Sequence, residues 1–185
     1  MNRFEKANLL VTLAERLRAN GIWAGEHHLQ KAAYVLERVM GVPVEFDFIL
    51  YKHGPFSFDL RDEIYSLRAE GFFEWEVKSQ KEGPSLIPGP MSGLLRRQFG
   101  GAVDAFIPKI DFVASHLGKR NMAELERLGT AIFVTLDEPL DRESRATRIN
   151  ELERHVSLPE AETAVRDADQ LIGEAQTAFP LAMTA

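Results

Sequence analysis

The apolar positions of this chain change period several times, and each change marks an element. Between residues 2 and 20, Phe4, Ala7, Leu10, Ala14 and Leu17 recur at helical spacing, with Leu13 on the same flank. Asn20-Gly21 ends that helix, since both residues tolerate a left-handed conformation. A second helix is predicted over 25–40, with Leu29, Ala33, Leu36 and Met40 as its stripe, Ala32 and Val39 widening it, and Gly41 and Pro43 as stops. The period then drops to two. Val44, Phe46, Phe48 and Leu50 point one way and Glu45, Asp47, Ile49 and Tyr51 the other, which predicts a half-buried strand over 44–51.

The strand runs into Tyr51-Lys52-His53-Gly54-Pro55-Phe56-Ser57-Phe58-Asp59-Leu60, the stretch around which the chain is organised. Gly54 can take backbone angles closed to other residues, and Pro55 fixes its own φ and forbids a continuing ladder bond. Ser57 is placed to cap the next helix, with Asp59 in its first turn. A rigid corner is expected here. Beyond it, Leu60, Ile64 and Leu67 form the inner face of a third helix that Gly71 caps. Phe72–Lys78 alternates as a strand, Ser79–Gly83 is a polar turn, and Pro84–Pro88 reads as a short returning strand. Helix, helix, strand, helix, strand, turn, strand is the plan of a winged helix.

Gly89-Pro90 begins a change to helical periodicity. Residues 92–118 read as helix interrupted at Gly100-Gly101 and Pro108. Asn121 with Glu124 is a capping-box start for a helix to about Leu136, carrying Leu125, Leu128, Ile132, Phe133 and Leu136. A charged helix over 141–155 turns Ile149 and Leu152 inward. Ser157 with Glu160 opens the last helix, with Pro159 in its first turn and the end fraying from about Phe179. The expected fold is therefore α+β and mostly helical. A winged-helix-like core with a small β-sheet occupies residues 1–90, and a helical C-terminal region packed on it occupies 91–185.

Composition changes this picture little. A chain of 185 residues with 45% apolar and 27% charged side chains can bury an ordinary core. The absence of cysteine excludes disulfides and thiolate metal sites. Early charges at Arg3, Glu5, Lys6, Glu15, Arg16 and Arg18 are unlike a signal peptide, and no apolar run approaches the roughly 20 residues that cross a bilayer. A soluble cytoplasmic protein without membrane contact is expected. Charge is uneven: −2 over 1–90, +3 over 91–120 and −7 over 121–185, so only the middle segment offers a basic footprint.

Several stretches carry a resemblance. Leu29-Gln30-Lys31, the apolar strand ending at Tyr51, the Gly54-Pro55-Phe56-Ser57 corner and Leu60 resemble the N-terminal half of uncharacterised YwgA-like proteins of bacteria and archaea. They also look like the Panacea antitoxin domain, which has a similar Gly-Pro corner after a strand. Glu124-Leu125-Glu126, Thr130-Ala131-Ile132-Phe133 and Leu158-Pro159-Glu160 resemble the YwgA-like C-terminal region. The chain departs from the pattern at His53, where relatives carry a small or aromatic residue, and ahead of Pro159, where a lysine is more typical. The resemblance implies a winged-helix-like core and, for Panacea proteins, toxin neutralisation; it implies no established chemistry for the YwgA-like group.

Candidate chemistry is sparse. His53 beside the corner lacks a catalytic constellation, and no G-x-S-x-G elbow accompanies it. Glu45 and Asp47 share one strand face, where solvated polar residues are the default. His27-His28 are adjacent and point apart on a helix; His116 and His155 have no visible partners; Gly100-Gly101 lacks a P-loop's following Lys-Ser/Thr. The third helix carries Arg61 and Arg68 against Asp59, Asp62, Glu63 and Glu70, which is unfavourable beside phosphates. Phe46, Phe48, Tyr51, Phe56, Phe58, Phe72, Phe73 and Trp75 exceed what one face buries. Phe72 and Phe73 in particular face opposite ways, so an exposed aromatic patch near the corner would mark a partner surface.

These observations lead to a non-enzymatic regulatory or protein-interaction protein, antitoxin- or adaptor-like. The corner residues His53, Gly54, Pro55, Phe56 and Ser57 are its interaction candidates, a protein is its partner, and a homodimer is compatible with it. No cofactor or metal is expected. The alternative is a DNA-binding regulator that would use Arg61, Arg68, Lys78, Lys81, Arg96 and Arg97. An enzymatic reading would rest on His53, Glu45 and Asp47 alone.

Overall fold

Capping residues set most helix boundaries. The computed structural model describes residues 1–21, 24–77, 83–138 and 140–180. Helix α1 (Arg3–Ala19) starts at Asn2, whose side chain accepts from Phe4 N and Glu5 N, and ends at Gly21 with φ +95°. Helix α2 (Glu26–Arg38) follows. Helix α3 (Phe58–Ala69) starts at Ser57, whose Oγ accepts from Leu60 N at 3.2 Å. It closes in a Schellman turn: Gly71 at φ +78° lets Phe72 N reach Leu67 O at 2.8 Å and Gly71 N reach Arg68 O at 3.0 Å. Reciprocal capping boxes open α6 (Met122–Asp137) at Asn121 and α8 (Leu158–Ala178) at Ser157, and Asp141 caps α7 (Arg142–Leu152).

The strands form two separate antiparallel pairs: β1 (Ile49–Tyr51) with β2 (Gly54–Phe56), and β3 (Phe73–Val77) with β4 (Pro84–Pro88). The small sheet expected from the alternation is thus two hairpins, and the fold is α+β and mostly helical.

Four expectations change. The alternation over 44–51 is real in burial, with Val44 buried, Phe46, Phe48 and Leu50 half-buried and the intervening residues exposed. Ladder pairing nevertheless covers only Ile49–Tyr51, because the partner strand ends at Phe56, where Ser57 caps α3; further upstream Glu45 holds φ +55°. The corner is also a returning strand: Ile49 faces Phe56 and Tyr51 faces Gly54, so the chain reverses at Lys52-His53. Pro55 is tolerated because the two-stranded sheet has only edges. Helix α4 (Ser92–Asp104) runs straight through Gly100-Gly101, and the break comes at Ala105-Phe106, with Pro108 in the first turn of α5 (Ile107–Leu117). Finally, Phe72 and Phe73 are both buried, Phe72 edge-on to Phe4 at 6.3 Å. The Schellman turn folds Phe72 back while Phe73 enters the core.

Helices α1 and α2 lie at the centre. Helix α1 packs against α4 and α5; α2 packs against α5, α6 and the β1–β2 hairpin; α6 carries α7 and α8. Every residue from His28 to Leu36 is buried. One apolar cluster runs from Ala7 to Ala175 and joins both halves. No helix of the described residues is long and apolar enough to cross a membrane.

Candidate functional site

The corner is held by close backbone approach. Gly54 has φ +84°, and a Cβ there would lie 3.1 Å from Thr130 Oγ1 and 3.2 Å from the Glu126 carbonyl oxygen of α6. On α6 itself, a Cβ at Gly129 would meet Pro55 Cδ at 3.0 Å and Lys31 Cγ at 3.4 Å. Opposite, Gln30 of α2 makes a double clasp on Ser57: its Nε2 donates to Ser57 O and its Oε1 accepts from Ser57 N, both at 2.9 Å. Gln30 and Ser57 are completely buried, so each bond satisfies a group that water cannot reach. The stretches Leu29-Gln30-Lys31, Gly54–Ser57 and Glu126–Thr130 therefore meet in space.

Gly54, Pro55, Phe56 and Ser57 are buried in this junction, whereas the His53 side chain is 60% exposed. The corner residues shape the surface, and their neighbours form it.

Beside the junction lies a polar cluster. His53 Nδ1 is 3.0 Å from Glu126 Oε1; facing a carboxylate acceptor, that nitrogen carries the proton. His155 Nε2, from the turn between α7 and α8, is 3.5 Å from the same oxygen. Glu153, the C-cap of α7, accepts a hydrogen bond from Thr130 Oγ1 and is buried. Burial pushes the Glu153 carboxyl up, Glu126 adds to the shift, and the Thr130 bond opposes it. Lys31 is also buried. Desolvation pushes its ammonium down to about 8, against the opposing pull of Glu126, Glu153 and Glu26. The His27 ring stands 6.4 Å from that of His53, and burial lowers its pKa, with Lys31 and His53 adding to the shift.

The hairpin and the start of α3 also carry an aromatic cluster. Tyr51, Phe56 and Phe58 form a ring triangle with centroids 5.8, 5.5 and 5.1 Å apart. Tyr51 is 45% and Phe58 39% exposed. Ile49, two residues from Tyr51 on the strand, and Tyr65, two helical turns from Phe58, are exposed too. Arg61 lies 5.0 Å over the Phe58 ring.

The nucleic-acid candidates do not gather into one described basic surface. Arg61 pairs with Asp62 at 3.2 Å, Arg68 lies 5.9 Å over Trp75, and Arg96 pairs with Glu15 of α1. Arg97 is exposed beside Arg96, and Lys78 and Lys81 lie outside the described residues. Glu45 is paired with Lys6 at 2.8 Å and His53 with Glu126, so the set His53, Glu45 and Asp47 has no shared hydrogen bond. His116, without a visible partner in the sequence, pairs with Glu174 at 2.8 Å and stacks on Phe112. A groove between α6 and α8 is lined by Arg120 and Arg127, which pair with Asp167 at 2.7 Å and Glu160 at 3.3 Å.

Reading the sequence by motif missed Glu126, Glu153, His155 and the role of Lys31. The one available signal was Lys31 itself, a charge set among Leu29, Ala32, Ala33 and Leu36. The other groups come from positions up to 124 residues away and share no motif. Comparison of the chain with protein-family models and with curated proteins finds no match.

Proposed function

We propose that this protein is a non-enzymatic interaction protein, antitoxin- or adaptor-like, whose partner docks on the aromatic face of the β1–β2 hairpin and α3. The observation that carries this reading is the set Ile49, Tyr51, Phe58 and Tyr65, exposed beside a corner that approaches α6 closely. Large aromatic side chains on a rigid frame give much contact area at low entropic cost. Asp59 and Asp62 beside the patch suit a partner with basic residues at its rim. In this reading α1, α2 and α3 with the β3–β4 pair serve as a winged-helix-like core whose α3 is turned to protein contact, although β1 pairs with β2 rather than with that pair. The acidic character of α3 supports this over DNA binding, since Arg61 is already paired.

The test is photo-crosslinking in the native host from residues introduced at Tyr51 and Phe58, with exposed Glu162 of α8 as control. A common protein adduct from the two patch positions, absent from the control, is the expected result. No adduct at the patch, or a DNA mobility shift at physiological salt that Arg61→Ala abolishes, would overturn the reading.

A further inference from the structure

Glu126, Glu153 and His155 each place one donor atom within 4.8 Å of the other two. They come from two places that only the fold joins: Glu126 from the second turn of α6, and Glu153 and His155 from the turn after α7. That turn is closed by Val156 N donating to Glu153 O at 2.8 Å and by Asn150 Nδ2 donating to Val156 O at 2.7 Å. It sends Glu153 inward and leaves His155 at the surface, 67% exposed. Glu153 itself is 5% exposed, and its Oε2 has no hydrogen-bond partner among the described residues. A buried carboxylate oxygen without a partner is costly. The Lys31 ammonium faces both carboxylates.

We propose that Glu126, Glu153 and His155 bind a divalent transition-metal ion of the Zn²⁺ type, with His53 as the group that orients Glu126. Two carboxylates and an imidazole suit zinc, which takes N and O donors at about 2.0–2.2 Å in tetrahedral sites. The imidazole disfavours Mg²⁺, which prefers oxygen donors and retains its waters. Small side-chain rotations bring the three donors to bonding distance, and the exposed His155 edge is the entry path. His53 Nδ1–H on Glu126 Oε1 is the outer hydrogen bond that fixes a metal-binding carboxylate. The ion would tie α6 to the α7–α8 turn directly behind the corner, a role that needs no catalysis and stands apart from partner docking.

The experiment is thermal unfolding of the full chain, stripped with EDTA, dialysed, and returned to ZnCl₂ or MgCl₂, with calorimetric titration of ZnCl₂ alongside. Zn²⁺ should raise the Tm by several degrees and bind as a single ion per chain, while Mg²⁺ should do neither. Glu126→Gln and His155→Ala should abolish the shift, and His53→Ala should weaken binding by about tenfold or more. His116→Ala, which removes the surface pair with Glu174, should leave it intact. No Zn²⁺ response, an equal response to Mg²⁺, or a Zn²⁺ shift that survives His155→Ala would overturn the proposal. His155 is exposed, so its variant decides the matter even if Glu126→Gln fails to fold.

Discussion

Gly54 and Lys31 touch the same helix, α6, and each is constrained by it in a different way. Gly54 holds φ +84° with α6 backbone and Thr130 within van der Waals reach, so Gly54→Ala adds both backbone strain and a clash. A cost of about 1–3 kcal/mol is expected, read as a Tm lowered by several degrees in thermal unfolding; an unchanged Tm would show that the corner is not rigid. Lys31 carries its charge where water cannot reach. The folded chain releases the lysine proton at about 8, while the unfolded chain holds it up to the ordinary value of 10.5. Between those values the unfolded state binds more protons, so stability attributable to Lys31 rises with pH there, and below the window the burial penalty is fully present. The full effect is on the order of 3 kcal/mol. Urea unfolding in EDTA should show wild type gaining on Lys31→Met as pH rises from 8 towards 10; parallel pH profiles would refute the buried charge.

Two helical glycines separate local propensity from tertiary contact. Gly100 lies inside α4 with open space where a Cβ would stand. Gly100→Ala should therefore stabilise the protein by about 0.5–1 kcal/mol, by removing unfolded-state freedom. Gly129 also lies inside a helix, but there a Cβ would press on Pro55 and Lys31. Gly129→Ala should destabilise by about 1–3 kcal/mol, because the corner cannot yield without losing the Gln30 clasp. Chemical denaturation of the two variants should move their midpoints in opposite directions. Equal shifts would mean that α6 and the corner are not in tight register.

At the scale of the molecule, the halves on either side of Gly89-Pro90 complete one another. The buried faces of α1 and α2 are covered by α4, α5 and α6, all from the second half. A fragment of residues 1–90 would strip buried Tyr34 of Phe133 and Asp137, Phe4 of Phe99, and Asn8 of the Phe99 carbonyl. That fragment should show no cooperative thermal transition, whereas the full chain should unfold in one. A cooperative fragment would make the first half an independent domain.

Helix starts and stops were legible because their causes are local: Asn2, Ser57, Asn121 and Ser157 bond their own next turn, and Gly21 and Gly71 adopt the angles that end one. The special character of Gly54 was legible for the same reason. Strand extent over 44–51 was not, because alternation reports burial while pairing depends on how much partner strand precedes the Ser57 cap of α3. Alternation puts Phe72 and Phe73 on opposite faces, yet both are buried, because left-handed Gly71 just upstream turns Phe72 back. The aromatic patch was legible in kind, as more rings than one face could bury, but its members were chosen by the packing of β1 against α3. The cluster of Lys31, Glu126, Glu153 and His155 was invisible. Nothing in the spacing of these residues links them, and they meet only because α2, α6 and the α7–α8 turn close on the same corner.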